Sequence, residues 1–311
     1  MISDKKWNLL RLARICMVNL LWPFLAVAQQ PGEELTGPMV TFRPEHQKPV
    51  SYGNGTVEVT LVTVDGRRVL RIAERETRSE RTVLLPKDMA QVDTIGAYGN
   101  KLVVFGMVNG TVWEVAVVDW TVGKLVDGFI CYGPSLSSSG RYIAFIKFSP
   151  PHVPGNFEDH YMLYDTGRDP GANRPPGVAS DDRREVGRSV FPRGVGNQPG
   201  DNAGVPPGTE HVARSDFFWV PSSEQFLFAD RIGSSGSLNL VFVDISSSGN
   251  VTVKTLEQPI RELCREPQND IPRCNLLMRK VNFNEAGFSA VWEVVETRQL
   301  RTVQYSFSQF H

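Results

Sequence analysis

Asp93 and Asp216 are the two acids whose placement could do chemistry. Each opens an apolar run, and glycosidic cleavage needs a pair of carboxyl groups facing each other across a cavity. The same residues also suit the turn that leads into a strand, and no third acid stands at the matching place in other runs. A metal-type set is densest at Glu158-Asp159-His160, with His152 upstream. It lies among prolines and has neither the HExxH nor the CxxC spacing of a zinc site, so no metal is expected. Ser137-Ser138-Ser139-Gly140 and Ser234-Ser235-Gly236 are turn serines. Neither has the G-x-S-x-G form that exposes a nucleophile on a strained elbow. No glycine-rich phosphate loop is present, and no cofactor is expected.

The N-terminus carries an export pattern. Lys5, Lys6, Arg11 and Arg14 precede an apolar stretch from Ile15 to Ala28, and Ala26-Val27-Ala28 offers small residues for cleavage before Gln29. Fourteen apolar-biased residues interrupted by Pro23 are too few for a span of ~30 Å, so residues 1–28 are expected to be a removable signal peptide. Removing Lys5, Lys6, Arg11, Arg14 and Asp4 from the 33 basic and 34 acidic residues leaves 29 and 33, a net charge of −4. That balance excludes a basic nucleic-acid binder. The mature chain is expected in the periplasm or outside the cell and not in the membrane.

Cysteine usage agrees with export. Cys264 and Cys274 bracket a polar, proline-containing loop, and a disulfide is expected between them in an oxidising compartment. Cys131 lies in the apolar run Phe129-Ile130-Cys131-Tyr132 and is expected to be a buried thiol.

The elements that must position these residues are strands. Short β-rich runs recur, among them 56–64, 68–73, 101–108, 111–118, 141–148, 225–229, 238–244 and 299–306, separated by Gly, Asn, Asp and Ser. Asp65-Gly66 and Asn109-Gly110 are hairpin dipeptides. Three runs end alike, at Val117-Val118-Asp119, Leu163-Tyr164-Asp165 and Phe242-Val243-Asp244, each followed within five residues by glycine. A degenerate unit opens the series near Tyr52-Gly53-Asn54 and another closes it at 287–292, making five. Phe105 and Phe145 are 40 residues apart, the repeat length of a four-stranded propeller blade.

The segment Pro134-Ser135-Leu136-Ser137-Ser138-Ser139-Gly140-Arg141-Tyr142-Ile143-Ala144-Phe145 resembles the WD40-like repeat of TolB-type β-propellers. In that repeat an aspartate usually stands where Ser139 is. Trp219 to Phe228 is a looser copy, and 163–167 is similar to the repeat's third strand. The resemblance implies an all-β fold: a single β-propeller of about five four-stranded blades over 46–311. A long Pro/Gly-rich insertion at 166–211, with 9 of the 27 glycines and 7 of the 21 prolines, falls between the third and fourth strands of the third blade. It reads as a flexible loop or as a partner-binding lid. The last unit is one strand short, and Met39–Arg43, within the N-terminal segment 29–45, is expected to pair near 299–306 and close the ring.

Such a fold specifies no chemistry by itself. The expected function is a secreted or periplasmic non-catalytic propeller that binds a protein or cell-envelope component. The alternative is a small carbohydrate-active hydrolase using acids at the central channel. Residues opening inner strands face that channel, which makes Asp93, Tyr132, Arg214, Asp216 and Arg279 the candidate ligand-binding set; equally, these acids and arginines could satisfy one another as ion pairs.

Overall fold

A computed structural model describes residues 39–41, 49–52, 55–89, 91–148, 159–177, 182–184, 186–191, 211–232, 238–258, 263–264 and 275–310. The expected signal peptide, Cys274, His152, Glu158 and much of the second half of the 166–211 segment lie outside them.

The described chain is all-β: a series of antiparallel sheets packed face to face in chain order, as the blades of a β-propeller are. A short strand β1 (Met39–Thr41) precedes the first sheet, formed by β2 (Val50–Tyr52), β3 (Val57–Val64), β4 (Arg67–Glu74) and β5 (Ser79–Leu84). Next come β6 (Gln91–Tyr98), β7 (Lys101–Met107), β8 (Val112–Asp119) and the 13-residue β9 (Lys124–Leu136). They continue by hydrogen bonding into β10 (Tyr142–Lys147), β11 (Tyr161–Asp165) and β12 (Arg188–Ser189). The following sheet holds β13 (His211–Ala213), β14 (Phe218–Trp219), β15 (Gln225–Ile232), β16 (Leu238–Ile245) and β17 (Val251–Gln258). The last holds β18 (Leu276–Asn284), β19 (Gly287–Val294) and β20 (Gln299–Ser306).

Strand periodicity explains the stacking. Neighbouring side chains on a strand point to opposite faces, so a strand buried on both faces is apolar throughout. On β7, Leu102 and Val104 pack with Val59, Leu70 and Ile72 of the first sheet. Val103 and Phe105 point the other way, against Ile143, Phe145 and Tyr164 of β10 and β11. Tyr142, Ala144, Tyr161 and Leu163 then meet Phe226, Phe228, Val241 and Val243 of the β13–β17 sheet. Leu227, Ala229, Leu240 and Phe242 meet Phe288, Ala290 and Trp292 of the last. Four apolar interfaces therefore join five successive layers. Among the described residues no apolar cluster joins the last layer to the first.

Beta9 serves two layers. Residues 124–132 pair with β8, and residues 131–136 pair with β10. Gly133 between the halves has φ 50, a left-handed conformation that costs glycine little, and the strand changes direction there. The Asp65-Gly66 turn has φ of 49 and 75 and joins β3 to β4 as a tight hairpin. In the 137–140 turn the Ser137 N–H donates to the Tyr142 carbonyl (2.8 Å) and the Arg141 N–H donates to Ser139 Oγ (3.0 Å). Ser139 thus accepts the bond that an aspartate could take. The repeated strand-end aspartates act alike in two layers: Lys101 reaches Asp119 (2.8 Å) and Arg141 reaches Asp165 (3.2 Å), each tying the start of one strand to the end of the next.

Two expectations change. Met39–Thr41 pairs with Thr94–Gly96 of β6, not with β20. Beta1 thereby covers the edge of β6 away from β7. The 166–211 segment is not one loop. Its first part folds back onto the sheets, with a 3-10 turn at Pro170–Asn173, and β12 inside it is the fourth strand of the third layer. Val186 and Val190 are buried. Arg174 and Asp127 form a buried pair (2.6 Å), joined by the Tyr164 hydroxyl (3.0 Å), which anchors this part of the chain to β9 and β11.

Candidate functional site

The densest polar cluster lies where β11, β13 and β15 meet. Its centre is Asp230, in the middle of the apolar β15 and 1% exposed. A carboxylate survives such burial only with donors on both oxygens. The Tyr161 hydroxyl donates to Oδ1 (2.7 Å) and His211 Nδ1 donates to Oδ2 (2.6 Å). The His211 ring stacks on Phe191 (centroids 4.8 Å apart), and Tyr161 meets it edge-on. Phe217 and Phe228 wall the Tyr161 side. Burial, and next the Asp230 charge, push the Tyr161 phenol far up, so it stays a donor.

Asp159 is clipped to the same place. Its backbone N–H donates to the His211 carbonyl (2.8 Å), and its Oδ2 accepts from the Ala213 N–H (2.7 Å). Burial raises its pKa, the Ala213 N–H partly offsets that, and the Asp230 charge adds to it. Arg214 follows β13. Burial foremost, then Arg231, lowers its pKa, while Tyr161, Asp159 and Asp230 pull it back. Arg214 Nε is buried and has no hydrogen-bond partner among the described residues. Arg231 donates to Asn275 Oδ1 (3.3 Å). Tyr132, on β9, packs in a tilted arrangement against Phe148 (centroids 5.4 Å), and burial followed by the Asp159 charge raises its pKa.

The candidate residues read from the sequence are therefore placed as follows. Tyr132 and Arg214 come together around Asp159. Arg279 lies near by along the backbone, since the Met278 N–H donates to the Arg214 carbonyl (2.8 Å), but its guanidinium bonds Glu293 within the last sheet. Asp216 is exposed on the β13–β14 connection. Asp93 is half-buried at a bulge of β6, between Val92 and Thr94. Asp230, Tyr161 and His211 were not in that set. The signal for Asp230 was present: an acid inside the apolar run Phe226–Ile232. Among the described residues no group of three or more His, Cys, Asp or Glu side chains could hold a metal ion.

No protein-family model matches the chain. No curated protein matches it either. Among solved structures it is similar to TolB from Acinetobacter baumannii, at 14% identity and TM-score 0.29 over 71% of this chain and 45% of that one. It is similar to the tricorn protease, at 12% identity and TM-score 0.38 over 84% of this chain and 27% of that one. It is similar to the β-propeller domain of the Trilobed protease from Pyrococcus furiosus, at 10% identity and TM-score 0.32 over 83% and 80%. The chain spans less than half the length of the first two. At these scores the likenesses add nothing to what strand pairing and packing show of the fold.

Chemically, the cluster holds the buried Asp230 and the half-buried Asp159 on internal donors. Both Asp230 oxygens are taken, and Asp159 caps the backbone of β13. Among the described residues the buried Arg214 Nε has no hydrogen-bond partner.

Proposed function

We propose that the chain is an exported, non-catalytic β-propeller that binds a protein or cell-envelope component through the Tyr132–His211–Arg214 cluster. The observation that carries this reading is Arg214: among the described residues its buried Nε has no hydrogen-bond partner, a second arginine acts on it, and Asp230 has both oxygens taken by Tyr161 and His211. An unsatisfied buried donor costs free energy that a ligand's acidic group returns on binding. Tyr132 and Phe148 add an aromatic surface of the kind that anchors protein interfaces. Export rests on the order of basic, apolar and small residues in 1–28. Among the described residues no helix is long and apolar enough to cross a membrane.

The test compares co-purification from envelope extract by the wild-type chain and by Arg214→Ala and Tyr132→Ala. The reading expects a specific protein or envelope component that both variants lose while their circular dichroism is unchanged. Hydrolysis of an envelope polysaccharide that Asp93→Asn or Asp216→Asn abolishes would overturn it in favour of the carbohydrate-active alternative.

A further inference from the structure

His211 opens β13, a three-residue strand at the end of its sheet that pairs with β15. Its Nδ1 lies 2.6 Å from Asp230 Oδ2. The two side chains differ in access to water: that of His211 is 26% exposed and that of Asp230 is 1% exposed. A proton can therefore reach the imidazole from solvent, while the carboxylate it faces stays inside the layers. Few other contacts hold the strand opening. Asp159 supplies two, its N–H to the His211 carbonyl and its Oδ2 to the Ala213 N–H. Beyond β13, the Arg214 N–H donates to the Ala229 carbonyl (2.8 Å), and the Arg214 carbonyl accepts from Met278 of the last sheet.

The groups around His211 set the sign of its response to pH. Beta15 brings Asp230 and Arg231, and β11 with the residues before it brings Asp159, His160 and the Tyr161 hydroxyl, which stays protonated. Tyr132 of β9 lies beside Asp159, and Arg214 follows β13. Phe191 covers the ring face, and Arg279 of β18 is taken by Glu293. Asp230 is the charge in direct contact with the imidazole. Coulomb attraction is greatest at contact and where water is excluded, so the imidazolium is the favoured form beside Asp230.

We propose that His211 is a pH-sensitive clasp on β13. Protonated, it pairs with the buried Asp230 and holds the strand opening against β15. On losing the proton it can still donate from Nδ1, but Asp230 loses its counter-charge and the start of β13 loosens, with Arg214 directly after it. The folded state binds this proton more tightly than the unfolded chain. The stabilisation is therefore full below the ~6.5 of a free imidazole and is lost as pH rises through the folded titration. The clasp concerns how the strand is held and does not depend on what Arg214 binds.

The test follows the His211 ring by nuclear magnetic resonance in the full chain from pH 5 to 9, with its signal assigned by its loss in His211→Gln. Amide exchange at Ala213 and Arg214 is read over the same range as protection factors, which removes the intrinsic effect of pH. The His211 midpoint is expected above ~6.5, and protection is expected to fall about tenfold for each pH unit of that excess. In His211→Gln, which cannot titrate, protection should stay level. His160→Gln should keep the wild-type fall. If His211→Gln does not fold, the wild-type midpoint and protection decide, with the signal assigned through the chain. A His211 midpoint at or below ~6.5, level protection in the wild type, or the same fall in His211→Gln would overturn the proposal.

Discussion

Replacing Asp230 by alanine tests the centre of the polar cluster. The carboxylate is 1% exposed and accepts from the Tyr161 hydroxyl at 2.7 Å and from His211 at 2.6 Å. Removal strands the buried Tyr161 hydroxyl and leaves the part-exposed His211 without this partner. A hydrogen bond to a charged group is worth about 1.5–3 kcal/mol, and two such bonds are lost. The expected loss is therefore about 3–5 kcal/mol, a large share of the ~5–15 kcal/mol that holds a domain together. Urea unfolding followed by circular dichroism measures it through the midpoint at constant m. Tyr161→Phe in the Asp230→Ala background should recover part of the loss, because it removes the stranded donor. A loss below about 1 kcal/mol for Asp230→Ala, or a further loss on adding Tyr161→Phe, would refute the reasoning.

Four other outcomes follow, two from the geometry and two from the sequence. Arg174→Met leaves Asp127 charged and buried beside Tyr164, and is expected to cost about 3 kcal/mol in the same urea assay. Stability should fall as pH rises above about 10: buried Tyr52, Tyr161 and Tyr164 have raised phenol pKa values and Tyr305 is pushed up to about 12, so the unfolded chain releases these protons first. Ultraviolet titration should show those phenolates appearing only with unfolding. Thiol alkylation with mass spectrometry should label Cys264 and Cys274 only after reduction and Cys131, buried and free, only after unfolding; labelling of native unreduced Cys264 would contradict the disulfide. The exported chain should begin at Gln29, and a mass that includes Met1 would contradict the leader.

The strands were legible because their side-chain chemistry is local. Leu102 to Phe105 is apolar at every position, which suits a strand covered on both faces, and Asp65-Gly66 requires the φ it adopts. The 134–145 repeat resemblance located the Ser137 turn and β10. Beta12 was hidden because its two residues, Arg188 and Ser189, carry no strand pattern; only pairing with Met162 and Leu163 makes them a strand. The N-terminal strand was seen but misassigned, because three residues carry too little pattern to choose between two sheet edges. The site was legible only in part. Tyr132 lies inside β9 and Arg214 just past β13, not at the strand openings read from the sequence, whereas Asp230, Tyr161 and His211 assemble across 19 and 69 residues of chain. Arg279 lies inside β18 at its bulge, not at the opening read from the sequence, and Glu293 on the next strand claims it.

The central claim is that an exported propeller binds its partner through Arg214. The most direct measurement is the affinity of the purified mature chain for the envelope component it captures, for wild type and for Arg214→Ala. The account predicts at least a tenfold loss in Arg214→Ala at unchanged thermal midpoint, the cost of one bond to a charged group. Equal affinities in the two proteins would contradict it.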